Sequence, residues 1–426
     1  MIKFDKDVSA ALRILDKAGF ETYAAGDCVR DAIRGEIVWD WDLYTRAKME
    51  DLVKLLPDGV CAKDKNGEFL RMDFTYEVKP KDESEESFIE GSVLDVHPLE
   101  GSIEDFLAGR AFTVNALADN PERGFLDPYG GREDLKKHLI RAIGDPVKLF
   151  QEKPICMMEA VRLAAEMDCD LQQNIYDAIV SNWRLLLDYN IAEIRDELEL
   201  LVVSEHAGKG LSMLAESGLM AVVLGEEIAS KMSMSDMNAF KILCKGIDKT
   251  KPVRTRRLGL LYATLSEKKG LAAIKRMQFD PKTKMHLDDA MTEVIKINFL
   301  NDEPSFKRYL CEHGLERYEY VHNLSKAQRI VFDHPSLKIE SRNYKMKTIM
   351  AQNEPVFVED LVIDANDIIA AGITDSPEKA EELLKLVVAV VHREPAKNER
   401  EVLLKAARKY ARNKFAAKTR YIKWAR

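Results

Sequence analysis

Residues 22–45 decide the fold and read TYAAGDCVRDAIRGEIVWDWDLYT. The first residues are typical of a short strand, and Gly26 then opens a helix. A second strand carries Asp40 and Asp42. Because side chains two residues apart on a strand point to the same face, both carboxylates project together. Adjacent carboxylates repel, and a divalent cation is the usual way to stabilise such a pair.

A third acid, Asp73, lies between two apolar residues in another strand-like segment. Three acids on neighbouring strands could hold two Mg²⁺ ions for in-line displacement at a phosphorus. The pattern makes Asp40, Asp42 and Asp73 candidate metal ligands and catalytic residues. A lone Asp-x-Asp is more often an ordinary surface pair, and the surrounding motifs are what favour the metal-binding interpretation here.

The organisation of the chain changes after residue 146. Before it, four segments have the β-branched and aromatic content of strands; they are residues 21–25, 39–44, 69–78 and 112–118. After it, apolar residues recur with helical spacing, as at Met157, Val161 and Ala164. The sequence predicts an α+β head with a mixed sheet, followed by an all-helical remainder.

Composition limits the class of protein. The chain has 426 residues, 46% apolar and 32% charged, which suits several globular modules with proper cores. No stretch approaches a membrane span, and the first residues lack the apolar core of a signal peptide. The six cysteines show no CxxC pair and no framework spacing, so we expect reduced thiols in a cytoplasmic protein.

The net charge of −8 argues against a surface coated in positive charge, but the C-terminus is locally basic. Residues 405–426 contain nine Lys or Arg, no acid and four interleaved aromatics. Cations that neutralise phosphates and aromatics that stack on bases are typical of an RNA contact, whereas the alternative is a solvated helix end. The predicted RNA-binding residues are Lys405, Arg408, Lys409, Arg412, Lys414, Lys418, Arg420 and Lys423.

The order of motifs resembles that of tRNA nucleotidyltransferases, the CCA-adding enzymes, and of the related bacterial poly(A) polymerases. Gly-Asp-Cys-Val-Arg-Asp at 26–31 is similar to the family's phosphate loop, and Asp-Trp-Asp at 40–42 to its metal motif. Gly-Arg-Ala-Phe-Thr-Val-Asn-Ala at 109–116 and Leu-Asp-Pro-Tyr-Gly-Gly at 126–131 follow in the family's order. Glu-Lys-Pro-Ile-Cys at 152–156 stands where the family's neck helix begins.

The resemblance implies a polymerase-β-like head at residues 1–146 and a helical neck at 147–205 that contains the nucleotide template. A helical body would follow at 206–300 and an RNA-binding helical tail at 301–426. It further implies transfer of nucleoside monophosphates from ATP, CTP or both to the 3′ end of tRNA or another structured RNA, with two Mg²⁺ ions. No membrane is involved in such a reaction.

The resemblance also assigns residues to the nucleotide. Arg30 and Arg110, retained from the family's motifs, would clamp the triphosphate. The full set that it implies is Gly26, Arg30, Arg110, Asn115, Glu152, Lys153, Cys156 and Arg162.

Departures from the family's pattern cluster at these nucleotide-binding positions. Asp27 replaces a glycine that lets phosphate approach the backbone, and Ala111 replaces a ribose-contacting Asp. In the neck, Lys153 and Cys156 stand where the family's Asp and Arg select CTP or ATP, and Glu159 replaces a further Arg. Lys can only donate and Cys is a poor partner, so the usual template cannot form.

Three functions stay open on this evidence. The chain is a nucleotidyltransferase with altered nucleotide selection, a catalytically inactive tRNA- or RNA-binding homologue, or a nucleotidyltransferase with a non-tRNA acceptor. Retention of all three acids favours an enzyme.

Overall fold

A computed structural model describes the backbone over residues 2–64, 67–78, 88–300, 302–333, 339–352 and 354–424. Side chains are described over the same residues except 75–78, 88–91 and 414–424. The chain divides into two compact units, residues 1–230 (unit 1) and 231–426 (unit 2). The predicted domain boundaries at residues 146, 205 and 300 stay predictions.

Unit 1 contains all the strands found in the described part of the chain. Its strands are β1 (Thr22–Ala25), β2 (Asp40–Thr45), β3 (Val60–Asp64), β4 (Gly67–Val78), β5 (Phe88–Pro98), β6 (Ala118–Asn120), β7 (Gly124–Leu126), β8 (Leu139–Ile140) and β9 (Asp170–Leu171). Its helices are α1 (Lys6–Lys17), α2 (Asp27–Arg34), α3 (Met49–Leu55), α4 (Ile103–Ala108), α5 (Gly131–Lys136), α6 (Pro146–Glu152), α7 (Cys156–Glu166), α8 (Gln173–Asn182), α9 (Ile191–Val203), α10 (Ala207–Ser217), α11 (Met220–Leu224) and α12 (Glu226–Ser230).

Helices are the regular secondary structure found in the described residues of unit 2. Its helices are α13 (Met234–Gly246), α14 (Arg254–Tyr262), α15 (Glu267–Arg276), α16 (Pro281–Ile297), α17 (Glu303–His313), α18 (Leu315–Phe332), α19 (Ile339–Ala351), α20 (Ala365–Ala370), α21 (Pro377–Arg393) and α22 (Arg400–Trp424). Short 3-10 helices lie at Thr113–Asn115, Trp183–Leu186, Ile247–Lys249, Val358–Asp360 and Pro395–Lys397. No described helix has the length and apolar character needed to cross a membrane.

The main sheet is mixed, as the sequence predicts. Among the described residues seven strands pair in the order β3-β4-β5-β2-β1-β6-β7. β2 and β5 run parallel, and the other neighbouring strands are antiparallel. β8 and β9 form a separate parallel pair. The predicted α+β head with a helical remainder is confirmed.

Alternating burial along the central strands shows which face of the sheet is apolar. On β2, Trp41 and Leu43 are buried, and so are Leu94 and Val96 on β5. These side chains join the apolar faces of α1, α2 and α3 in one core. The helices therefore cover one face of the sheet, and the polar residues of the same strands project from the other face.

The strand predicted at residues 112–118 is wrong. Thr113–Asn115 form a 3-10 helix, and β6 begins only at Ala118. The Thr113 hydroxyl donates to the Asp134 carboxylate at 2.6 Å, which holds the segment as a turn. This tertiary contact accompanies a conformation that departs from the local β propensity, which depends strongly on context.

Candidate active site

The polar face of the sheet carries the predicted metal-binding pair. Asp40 and Asp42 alternate with the buried side chains of β2, so both project away from the core. The neighbouring strand β5 places Asp95 directly opposite Asp42. The next strand, β4, places Arg71 opposite Asp95. A row of charged side chains, which begins at Asp42 of the predicted pair, therefore crosses three strands.

Asp73 lies farther from the pair than predicted. It faces Val93 of β5, which in turn faces Asp40 of β2. The expectation that the strands of Asp73 and the pair adjoin is wrong, because β5 lies between them. With about 4.8 Å between neighbouring strands, the Asp73 backbone lies about 10 Å from that of Asp40. Asp73 is exposed, and its catalytic role stays a prediction.

Asp95 is an acid that the sequence reasoning missed. Its residue is 5% exposed, and its carboxylate accepts two hydrogen bonds from Arg71, at 2.8 Å from Nε and 2.5 Å from Nη2. This pairing leaves further lone pairs on both oxygens for a metal. The signal was present, because Asp95 lies between apolar residues just as Asp73 does. Only the strand order shows which of the two adjoins β2.

His97 is a second residue that was missed, two positions after Asp95 on the same face of β5. Its Nε2 lies 3.1 Å from Oδ1 of Asp42. The ring stacks on Tyr44 with centroids 5.1 Å apart and packs against Phe69 at 4.9 Å. One ligand atom from each of Asp42, Asp95 and His97 lies within 4.8 Å of the others. The site thus offers a nitrogen donor beside the carboxylates.

Electrostatic repulsion at this face suits a divalent cation. The pKa of Asp40 is raised, first by loss of hydration and then by the negative charges of Asp42 and Asp95. Asp27 adds a smaller repulsion of the same sign. A bound dication would relieve this repulsion, and carboxylate oxygens are the donors that Mg²⁺ prefers. The residues present therefore fit a divalent metal.

The loop between β1 and α2 is where the sequence predicts phosphate binding. Gly26 has φ of +95°, a conformation that favours glycine, and lies at the start of α2. Asp27 follows as the first helical residue and is exposed. Its carboxylate accepts a local hydrogen bond from the Cys28 amide at 3.0 Å. Asp27 thus places an exposed negative charge beside the buried Gly26.

The Arg30 guanidinium is hydrogen-bonded to other residues of the protein. It is 6% exposed, and its Nε and Nη2 each donate to Asp31 at 2.8 Å. Its Nη1 donates to Oδ1 of Asn115 at 2.7 Å. The predicted triphosphate contact of Arg30 would require some of these bonds to be exchanged. As placed, Arg30 ties α2 to the 3-10 helix that contains Asn115.

Arg110 is better placed to meet an anion. Its guanidinium lies over Phe106 at 4.0 Å from the ring centroid, and Nη2 donates to the Tyr44 hydroxyl at 3.2 Å. Its Nε is buried and has no hydrogen-bond partner among the described residues. An unpartnered charged donor gains from a phosphate oxygen. Gly26 adjoins it, since a Cβ there would lie 3.8 Å from Nη2.

The neck positions differ in accessibility. Glu152 and Lys153 are exposed where α6 ends, whereas Cys156 is 4% exposed where α7 begins. Burial, and then the charge of Glu159, raises the pKa of Cys156 to about 12. Cys156 is thus a buried neutral thiol beside Glu159, and a thiol offers a nucleotide only weak hydrogen bonds.

Arg162 is also engaged by neighbouring acids. It donates to Glu166 at 2.9 Å and to Glu197 at 2.7 Å. Its side chain lines a cleft of about 470 Å³ between α2, α7 and α9. The lining residues are Asp27, Arg30, Asp31, Arg34, Glu36, Arg162, Glu166, Leu200 and Glu205.

The basic residues between positions 405 and 413 lie on one face of α22. Leu403, Ala407 and Ala411 are buried, and the cations lie on the exposed side of the helix. The exposed cations, here called the basic face, are Lys405, Arg408, Lys409 and Arg412. The side chains of Lys414, Lys418, Arg420 and Lys423 lie outside the described residues.

Comparison with known sequences points to one group of proteins. Residues 22–141 match the family described as the poly A polymerase head domain. The CCA-adding enzyme of Geobacillus stearothermophilus is 33% identical over 216 residues, which cover 50% of this chain and 52% of that protein. The CCA-adding enzyme of Leuconostoc mesenteroides is 30% identical over 54% of this chain and 58% of its own length. The chain spans about half the length of the curated relatives it matches.

Solved structures extend the likeness to the whole fold. The Bacillus stearothermophilus CCA-adding enzyme in complex with CTP superposes with a TM-score of 0.73 at 22% identity, covering 97% of this chain and 98% of that one. The Thermotoga maritima CCA-adding enzyme complexed with tRNA gives a TM-score of 0.57 at 17% identity, covering 95% of both chains. The chain thus has a CCA-adding-enzyme fold with a poly A polymerase head.

Proposed function

We propose that this chain is a nucleotidyltransferase that adds nucleoside monophosphates from NTPs to the 3′ end of tRNA or a similar structured RNA in the cytoplasm. The observation that carries the proposal is the carboxylate cluster of Asp40, Asp42 and Asp95 on the polar face of a poly A polymerase head domain. The CTP and tRNA named with the structural neighbours support the same substrate classes.

In this proposal Asp40, Asp42 and Asp95 hold the divalent metal, for which the family resemblance of the sequence implies Mg²⁺. Asp95 takes the place predicted for Asp73 because it is one strand closer to the pair. When bound, the ions lower the pKa of the attacking 3′-hydroxyl and neutralise the charge of the departing pyrophosphate. Arg71 orients the Asp95 carboxylate through its two hydrogen bonds.

The chain's cations have separate roles in this scheme. Arg110 binds the triphosphate through its guanidinium, and stacking on Phe106 fixes the plane of that group. Arg30 holds Asn115 in place at the nucleotide. The basic face of α22 neutralises RNA phosphates, and recognition there is by shape and charge because duplex RNA hides its base edges in a deep groove.

Nucleotide selection in this protein must differ from the family's pattern. Lys153 can only donate hydrogen bonds, and Cys156 is a buried thiol and a poor hydrogen-bond partner. Neither can present the Asp and Arg edges that select CTP or ATP. We therefore propose a working phosphoryl-transfer site with an altered template.

A four-nucleotide incorporation assay tests the proposal. Purified protein is incubated with Mg²⁺ or Mn²⁺, each labelled NTP in turn, and tRNA lacking its 3′ end. We expect RNA-dependent incorporation that Asp42→Asn abolishes and that Asp58→Asn, a change at an exposed acid on the α3–β3 turn, leaves intact. Binding of tRNA without incorporation of any NTP would identify a non-catalytic RNA-binding protein. Incorporation that does not need RNA would point to another acceptor.

A further inference from the structure

His97 distinguishes this metal site from one built only of oxygen donors. It extends the row of polar residues on β5, two positions beyond Asp95, and its register partner on β2 is Tyr44. Its Nε2 lies 3.1 Å from Oδ1 of Asp42. The imidazole therefore reaches diagonally across to the carboxylate that the proposed function assigns to the metal.

Two aromatic rings hold the imidazole in this orientation. Tyr44 stacks on His97 with an interplanar angle of 17°, and Phe69 packs on it at 4.9 Å. The His97 side chain is only 16% exposed. Tyr44 is in turn fixed by Phe106 at 4.0 Å and by the hydrogen bond from Arg110. A ring confined in this way presents Nε2 to the site at little further cost in conformational entropy.

The spacing of the donor atoms matches coordination of one ion. Neighbouring ligands of a six-coordinate ion with bonds of about 2.1 Å lie about 3 Å apart, and opposite ligands lie about 4.2 Å apart. The 3.1 Å between Nε2 of His97 and Oδ1 of Asp42 corresponds to neighbouring ligands. One donor atom of Asp95 lies within 4.8 Å of both, so binding of all three to one ion requires the Asp95 carboxylate to move closer to the other two donors.

We propose that Nε2 of His97 binds the catalytic metal together with Asp42 and Asp95, and that the site consequently favours Mn²⁺ over Mg²⁺. The inference rests on the proposed function for the identity of the metal site. Its chemical basis is relative: Mg²⁺ takes oxygen ligands almost exclusively, whereas Mn²⁺ accepts carboxylate oxygens and binds imidazole nitrogen more strongly than Mg²⁺ does. Asp95 can take part without losing Arg71, because each carboxylate oxygen has a second lone pair.

Electron paramagnetic resonance of the Mn²⁺-loaded full-length protein tests this directly. Coupling of the Mn²⁺ electron spin to a directly bound ¹⁴N appears as a modulation of the spin echo. We expect this modulation in the unaltered protein and in His206→Gln, a control histidine in front of α10. We expect it to disappear in His97→Gln, with Mn²⁺ affinity falling about tenfold or more and Mg²⁺ affinity changing less than about threefold.

A second variant guards against a purely structural effect of the substitution. His97→Asp supplies an oxygen donor, so it should bind Mg²⁺ more tightly than His97→Gln does while still lacking the nitrogen signal. Unaltered protein that binds Mn²⁺ without ¹⁴N modulation, or a His97→Gln variant with an unchanged Mn²⁺ to Mg²⁺ preference, overturns the proposal. These readouts do not use catalysis, so a failure of NTP incorporation would leave the nitrogen signal as a separate result.

Discussion

Separate substitutions of Asp95 and Asp73 test which of the two acids completes the catalytic site. Asp95 adjoins β2, so its carboxylate lies within about 4 Å of an ion held by Asp42. At an effective dielectric constant of about 20, a unit charge and a dication at that distance attract by about 8 kcal/mol. Dehydration of the buried carboxylate offsets roughly half of this. Asp95→Asn should therefore raise the activation free energy by about 4 kcal/mol, which lowers kcat/KM roughly a thousandfold.

Asp73→Asn is the matched comparison because it removes the same charge one strand farther away. At about 10 Å the attraction falls to about 3 kcal/mol, and screening at physiological salt reduces it to about 1 kcal/mol. The expected loss in kcat/KM is therefore less than about tenfold. Asp95→Asn also releases Arg71, but the Arg71 side chain is 43% exposed and water can solvate it. We expect the thermal unfolding of this variant to shift only modestly.

The assay is single-turnover incorporation of whichever NTP the protein uses, at several metal concentrations. Circular dichroism of both variants checks that each is folded. A severe loss in Asp73→Asn together with near-normal activity in Asp95→Asn would refute the assignment of Asp95. Small effects in both variants would also refute it, because a charge in contact with the metal cannot be removed without a large loss.

Other parts of the molecule allow measurements that do not depend on catalysis. Burial lowers the pKa of His322 to about 4. Below pH 6.5 this imidazole therefore binds a proton in the unfolded chain but not in the folded protein. Unfolding free energy should therefore fall by about 2 kcal/mol between pH 7 and pH 5 from this group, and urea titration of His322→Phe should lack that part of the fall; an equal fall in the variant would contradict the reasoning. A Cβ on Gly131 would lie 2.1 Å from the Thr113 carbonyl oxygen, so Gly131→Ala should lower the unfolding free energy by about 2–3 kcal/mol. Gly109→Ala is the control, because a Cβ there would lie 3.5 Å from the nearest atom, and it should change the unfolding free energy by less than about 0.5 kcal/mol. Equal denaturation midpoints for the two variants would rule out the clash. Replacing the four cations of the basic face by Gln should flatten the slope of log Kd for tRNA against log salt by about 3, and an unchanged slope would remove α22 from the RNA contact. 

Local patterns in the sequence predicted the parts of this molecule that depend on short-range rules. The two-residue period of β2 placed Asp40 and Asp42 on one face, opposite the buried Trp41 and Leu43. The helical spacing after residue 146 predicted the helical remainder. The prediction failed at Thr113–Asn115, where a hydrogen bond to Asp134, 21 residues away in the chain, decides the conformation.

The metal site shows where sequence reasoning stops. The carboxylate pair, its shared face and the kind of chemistry it suits follow from the residues at positions 40 and 42 alone, because backbone geometry makes alternate side chains point together. The choice between Asp73 and Asp95 as the third acid does not, because both lie in the same apolar–acid–apolar pattern. Only the tertiary structure shows that Asp95 lies nearer to the pair, because β5 is inserted between β4 and β2. Strand order is set by how the whole apolar face packs under α1, α2 and α3, and no short stretch of sequence contains that information.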